Sequence, residues 1–494
     1  MSNQDPALAG RLERALVRHL SGRLGDAPQV ERLRRLTAGA ANETWRFDAV
    51  GAEARLDCVL RRAPYVVEDT DASDEAAGLD KAGEARVQEA ARRAGVEAAQ
   101  VLFVLEPEDD LGAGYLMLAL EGETLARRIL RDDAYAQARA RLAFQCGTTL
   151  ARLHAVDIAT LPTLTTSTAV TQIERYGALY RACEQPVPVF DLALRWLAER
   201  CPDPERVTLV HGDFRNGNLM IGPEGIRAVL DWELAHLGDP MEDLGWLCVT
   251  SWRFGEIDHP VGGFGSREDL AAGYAAAGGG AVDLEAVRYW EVLGTLKWGI
   301  MCMTMTRAHL TGAARSVERA AIGRRVSETE LDLLGLLASD AGLRPSAARV
   351  ARGPDEQGGA PADGLALQRP TAVELVTAVR EFVEGEVQGA LTGSTAFHAR
   401  VAVNVLKIVE RELETGAALA EDDAARLAAL LGHPGRPAAL SAELAEAIRA
   451  GRIGLQTPGL VAHLRDSILG RLSIDNPRYV SYQRARAADG GASH

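Results

Sequence analysis

The chain has 494 residues, 47% apolar and 25% charged, the composition of a globular protein with length for two or three compact units. Its formal charge of -15, from 54 Lys and Arg against 69 Asp and Glu, excludes a general nucleic-acid binder, because a phosphate backbone demands clustered cations. No run reaches the roughly 18 apolar residues of a membrane span, and six scattered cysteines without a CxxC pair fit a reducing, cytoplasmic setting.

The opening stretch, MSNQDPALAGRLERALVRHL, mixes acids with bases and lacks a long apolar core, so neither a signal peptide nor an anchor is expected. Its apolar positions from 7 to 24 fall at helical spacing, which predicts a helical extension over 1–29. Short alternating runs follow, Thr44 to Phe47 and Leu56 to Leu60, broken by Gly39 and Gly51, and they read as antiparallel strands. A helix is predicted around 80–94 and a buried strand in GYLMLALEGETLA, 114–126. Together 30–122 form a small α+β unit.

From 123 to 341 helical patterns dominate, Gln137 to His154 and Leu284 to His309 among them, interrupted by the strand-like RVTLVHGD and IRAVLDWE. Residues 342–370 are rich in Gly, Pro, Ala and Arg and read as a linker. Beyond it, Ala372, Val376, Val379, Val383 and Val387 mark one face of an amphipathic helix. ARVAVNVLKIVEREL, 399–413, continues in the same style, and AARLAALLG reads as a third helix ending at Gly432, so 371–494 is expected to be helical and non-catalytic.

The chemistry concentrates in LVHGDFRNGNLM, 209–220, which sets Asp213 and Asn218 five positions apart directly after a strand. Phosphoryl transfer needs a group to orient the acceptor hydroxyl and oxygen ligands to hold magnesium on the phosphates, and a carboxylate with an amide on one loop can do both. Asp231 ends the apolar run of AVLDWE, and a hairpin turning at Gly222 to Gly225 would bring it back beside Asn218. Amide and carboxylate oxygens suit magnesium, which takes its other ligands from phosphate and water.

HGDFRNGN and VLDWE, in this order and spacing, resemble the kinase-like small-molecule phosphotransferases typified by aminoglycoside phosphotransferases and choline kinases. The resemblance covers about 30–340 and implies a bilobal protein-kinase-like α+β fold, with a β-rich N-lobe and a mainly helical C-lobe, followed by a separate all-α C-terminal domain. It implies Asp213 as the catalytic Asp, Asn218 and Asp231 as Mg2+ ligands, and ATP as cofactor, with GTP left open. His211, His154, Asp239 and Asp243 are read as structural. In the N-lobe, Gly39 would belong to the phosphate-covering loop, Arg61 would take the phosphate-pairing position with Glu84 as its helix partner, and Leu118 to Glu121, Leu120 included, would form the hinge that meets the adenine. The loop has one clear glycine and Arg61 stands where most kinases carry Lys; an arginine keeps the charge and offers a planar fork to phosphate oxygens.

The segment 229–265 looks like the branch of this family found with acyl-CoA dehydrogenases, and RPTAVELVTAVREFVEGEV with FHARVAVNVLKIVEREL resembles a small helical family that also occurs as a separate subunit beside such kinases. That branch implies a small-molecule hydroxyl substrate, a 4-hydroxyacyl-CoA type of thioester, with an aminoglycoside or amino alcohol as the alternative acceptor and a non-catalytic scaffold as a third reading. Glu233, His236, Trp252 and Arg253 are the candidate substrate contacts. No nucleic acid or membrane partner is expected. The helical region can shape the acyl-CoA site, pair two chains as a homodimer or link to an acyl-CoA dehydrogenase, and these stay open.

Overall fold

The computed structural model describes residues 5–38, 43–63, 78–202, 206–343 and 370–491. Along the chain run helix α1 (Pro6–Leu24), strands β1 (Gln29–Ala38), β2 (Glu43–Val50) and β3 (Arg55–Ala63), α2 (Lys81–Arg93), β4 (Val101–Val104) and β5 (Ala113–Leu118). Then come α3 (Ala126–Arg131), α4 (Ala136–His154), α5 (Ala169–Ala182), α6 (Pro188–Glu199), β6 (Thr208–Val210), β7 (Leu219–Gly222), β8 (Gly225–Val229) and β9 (His236–Gly238). The rest is helical: α7 (Met241–Cys248), α8 (Arg267–Ala276), α9 (Leu284–Leu310), α10 (Val317–Ile322), α11 (Val326–Asp340), α12 (Ala372–Phe382), α13 (Gln388–Ala390), α14 (Gly393–Leu431), α15 (Pro437–Arg449), α16 (Leu460–Asp475) and α17 (Val480–Gly491).

These elements form two compact units: Met1–Thr168 with Asp203–Glu291, and Ala169–Pro202 with Val292–His494. In the first, an antiparallel sheet of order β1-β2-β3-β5-β4 carries α1 and α2. The α1 helix begins where Asp5 accepts from the N–H groups of Ala7 and Leu8, with Pro6 free of an N–H to satisfy. Its buried residues Leu8, Leu12, Leu16, Leu20 and Leu24 make one stripe, and they pack with Trp45, Phe47, Leu60 and Leu116 of the sheet. A second core joins α2, α4, α7 and α8 to the short strands β6 to β8. The N-terminal sheet with its helical lobe is a protein-kinase-like fold, and the C-terminal region is all-helical.

In the second unit the C-terminal helices pack with helices from earlier in the chain, α15 on α6 and α16 on α11. Two details differ from expectation. The stretches expected to form two helices after 399 are one helix of 39 residues, α14, which passes through Gly416 and stops at Gly432, whose φ of 85° closes the end. On α12, which packs on α14, the predicted apolar face is only partly used: Val376 is half-buried while Val379 is 53% exposed. Residues 344–369 of the expected linker, and Gly39, lie outside the described residues. All six cysteines are free, and among the described residues no helix is long and apolar enough to cross a membrane.

Candidate active site

Between β6 and β7 the chain makes a tight loop held from below. The N–H groups of His211 and Gly212 donate to the two oxygens of Asp243 at 2.8 and 3.0 Å, and His154 and Tyr274 complete that buried network. Burial opposes the charge of Asp243, yet hydrogen bonds from His154 and the loop hold its carboxyl below the ordinary range. Gly212 is required here: its φ is 78°, and a Cβ would meet the Leu234 carbonyl oxygen at 2.5 Å. His211 is fully enclosed, its Nε2 facing the Leu230 carbonyl at 3.1 Å and its Nδ1 accepting from the Asp213 N–H at 3.2 Å. Those partners require a neutral ring with the proton on Nε2, and burial lowers its pKa, so His211 is not a base for substrate.

The loop presents Asp213 with both carboxylate oxygens engaged. Asn218 Nδ2 donates to Oδ2 at 2.6 Å and to the Asp213 carbonyl at 3.1 Å, while Arg215 Nε and Trp246 Nε1 donate to Oδ1 at 2.9 and 2.8 Å. Because the Asn218 NH2 faces two acceptors, the opposite amide atom is its oxygen, the atom able to ligate a cation. The β7-β8 hairpin turns at Gly222 and Gly225, pairs Leu219 with Val229, and continues as a bond from the Leu230 N–H to the Asn218 carbonyl at 2.8 Å. Asp231 follows with φ 69°, a left-handed conformation that a non-glycine residue adopts at some cost. One amide oxygen and one carboxylate are a donor set that fits magnesium, which draws its remaining ligands from phosphate and water.

From the sheet, Arg61 reaches the Asp231 carboxylate with Nη2, lies 3.1 Å from Glu84 Oε2 through Nε, and 3.3 Å from Glu233 Oε2. Lys81, at the first position of α2, bonds the other Glu84 oxygen and lies 4.0 Å from Glu233. Burial and then the neighbouring Asp231 charge push the Glu233 carboxyl up. The expected hinge follows β5: the N–H groups of Leu118 and Ala119 donate to Gln100 and Asp57, and Glu123 pairs with Ile221 of β7. No protein partner for the Leu120 N–H exists among the described residues.

The candidate substrate contacts separate. Glu233 belongs to the charge network. Trp252 is buried, packs on Trp246 with ring centroids 5.2 Å apart, and carries the Arg215 guanidinium over its face at 4.5 Å, so it supports the residues that hold Asp213. His236 turns to the Leu234 carbonyl and Glu242 behind Gly212. Arg253 points inward, its guanidinium bonded to the carbonyls of Cys248 and Ile257 and to Glu291. Asp239 accepts from the Met241 N–H at the start of α7 and from Trp290. Sequence reasoning passed over Lys81, Arg215 and Trp246. Lys81 carried a signal, being one of three lysines in a chain with 54 Lys and Arg.

The chain is 30% identical over 250 residues to acyl-CoA dehydrogenase family member 11 of Mus musculus, covering 48% of this chain and 30% of that protein. It is 43% identical over 82 residues to family member 10 of the same organism, covering 16% of this chain and 8% of that protein. The chain thus spans less than a third of each of these two curated relatives. An aminoglycoside phosphotransferase-like protein from Ralstonia eutropha superposes with a TM-score of 0.50 at 23% identity, covering 65% of this chain and 95% of that one, which supports the fold. A domain of unknown function, DUF6285, matches residues 389–479. The phosphotransferase enzyme family matches residues 32–290, just over half the chain. The chain therefore belongs to the phosphotransferase enzyme family.

Proposed function

We propose that the chain is a nucleotide-dependent small-molecule kinase that passes the terminal phosphate of ATP to a substrate hydroxyl, with Asp213 as the catalytic carboxylate. The observation that carries this reading is the setting of Asp213, fixed by Asn218, Arg215 and Trp246 next to the hairpin that delivers Asp231. Three donors aim the carboxylate, and one such group can orient an acceptor hydroxyl and take its proton as the bond to phosphorus forms. Bound Mg2+, held by the Asn218 oxygen and Asp231, would neutralise charge on the transferring group. Arg61 supplies a guanidinium fork on the sheet side, and the open Leu120 N–H suits an adenine edge.

The acceptor in this reading is a hydroxyacyl-CoA, with the phosphorylated hydroxyl becoming a leaving group for later elimination. It is supported by the 229–265 segment and by relatives whose names place them with acyl-CoA dehydrogenases. A cytoplasmic setting goes with that substrate. The test is transfer of label from γ-labelled ATP to a panel of hydroxyacyl-CoAs, free hydroxy acids and aminoglycosides. Transfer to the thioesters is the expected result. Transfer confined to an aminoglycoside would replace the acceptor, and none to any alcohol would remove the kinase reading.

A further inference from the structure

The network around Glu84 contains more positive charge than a strand cation paired with a helix carboxylate requires. Glu84 is fully buried and spends one oxygen on each of two cations, Arg61 on one side and Lys81 on the other. Arg61 is the ion partner of Glu84 Oε2 through Nε at 3.1 Å, and the Tyr115 hydroxyl lies 3.5 Å from the same oxygen. Lys81 is itself 7% exposed, so a second desolvated cation is held there against burial. Its position adds to the cost, because it opens α2, where the N–H groups of the first turn already present positive charge, and Asp80 rather than Lys81 supplies the cap.

Pairing with Glu84 offsets part of that cost, and charge balance during ligand binding gives Lys81 a further role. Without ligand, the cluster sets Arg61 and Lys81 against Glu84, Asp231 and Glu233, two positive charges against three negative. Were Asp231 to hold a dication, Arg61 would lose its principal carboxylate partner. Arg61 and Lys81 then face Glu84 and Glu233, and an arriving phosphate chain meets two cations already aligned on one carboxylate. With Arg61 alone, one guanidinium would have to serve both Glu84 and the phosphates. An ammonium suits the second place, since it is a compact point charge with rotatable donors where a planar fork already occupies the neighbouring space.

We propose that Lys81 is a second phosphate-binding residue, sharing with Arg61 the contact to the nucleotide phosphates; this rests on the kinase reading of the site. The experiment measures binding of ADP with Mg2+, and of adenosine as the phosphate-free control, by titration calorimetry on the full chain, beside the melting temperature. Lys81→Gln keeps a hydrogen-bond donor and leaves Glu84 paired with Arg61. It is expected to weaken ADP about tenfold, leave adenosine within twofold and keep the wild-type melting temperature within a few degrees. If Lys81→Gln does not fold, Lys81→Arg is used, with an expected loss of at least threefold for ADP alone. ADP affinity equal to wild type in whichever variant folds overturns the proposal while the kinase reading stands. Failure of the wild type to bind ADP overturns both.

Discussion

Trp246 donates its indole N–H to Oδ1 of Asp213 at 2.8 Å, from a helix, α7, that the loop itself does not include. The bond sets the angle of the carboxylate from a buried ring. A hydrogen bond to a charged acceptor is worth about 1.5–3 kcal/mol. Trp246→Phe should therefore lower kcat by roughly ten- to a hundredfold with little change in the KM for nucleotide. Asp213→Asn should cost about a thousandfold or more, since it removes the proposed proton acceptor. Steady-state kinetics on both variants, with circular dichroism to confirm folding, distinguish positioning from catalysis. Equal kcat in wild type and Asp213→Asn would remove Asp213 from the mechanism.

Arg61 and Asp231 are bonded to each other here, although each has a separate partner in the proposed reaction. The guanidinium thus competes with a cation for the same carboxylate. Arg61→Met should release Asp231, so Mn2+ binding to the nucleotide-free chain is expected to tighten severalfold. Nucleotide affinity should fall at least tenfold in the same variant, because a phosphate-pairing cation is gone. Electron paramagnetic resonance reads the first effect and fluorescence titration the second. The opposite signs are the point of the prediction: weakening of both would mean that Arg61 only supports the fold.

The site was legible in the sequence wherever short spacing does the work. Asp213 and Asn218 share one loop, and the hairpin read from Gly222 and Gly225 carries Asp231 back alongside. Arg61 and Glu84 lie in different elements and only the family resemblance set them side by side; they stand 3.1 Å apart. The hidden partners come from tertiary packing. Nothing local to Trp246 says that its N–H turns toward residue 213, and nothing local to Arg253 says that Glu291, 38 positions away, turns it inward. The C-terminal region was misjudged in detail for the same reason. The stretches 399–413 and AARLAALLG read as two helices, but α14, packed on α15 and α16, runs through both as one.

The α11 helix buries a row of acids whose partners arrive from the end of the chain. Glu328 accepts from Asn476 at 3.0 Å, Glu330 from Arg471 at 2.7 Å, and Asp332 from Tyr479 and Ser481 at 2.5 and 3.1 Å. These carboxylates are 3–9% exposed. Removing one partner of a buried pair costs about 3–5 kcal/mol, and the half-exposed Arg471 lowers that to about 2 kcal/mol. Arg471→Met should destabilise the chain by that amount, and adding Glu330→Gln should recover much of it. Chemical denaturation of the single and double variants checks the coupling. A chain ended after Leu343 should fail to fold as a soluble protein, since Leu333, Leu334 and Leu337 share this helix with the acids and are buried with them.

His463 makes the pH dependence of the helical unit specific. It is 6% exposed on α16, its Nδ1 has no hydrogen-bond partner among the described residues, and burial is the main force that lowers its pKa to about 4, with Arg426 and Arg471 adding to the shift against Asp423. The sign follows from linkage. Between about 4 and the ordinary histidine value of about 6.5, the unfolded chain binds a proton at this site and the folded chain does not. Protonation therefore favours unfolding throughout that window, and stability falls as the pH drops through it. The whole shift corresponds to about 3 kcal/mol. The free energy of unfolding, measured by denaturant at pH 7, 6, 5 and 4, should decline more steeply for wild type than for His463→Gln, which cannot titrate. Parallel curves for the two proteins would show that His463 is protonated as readily in the folded chain as in the unfolded one.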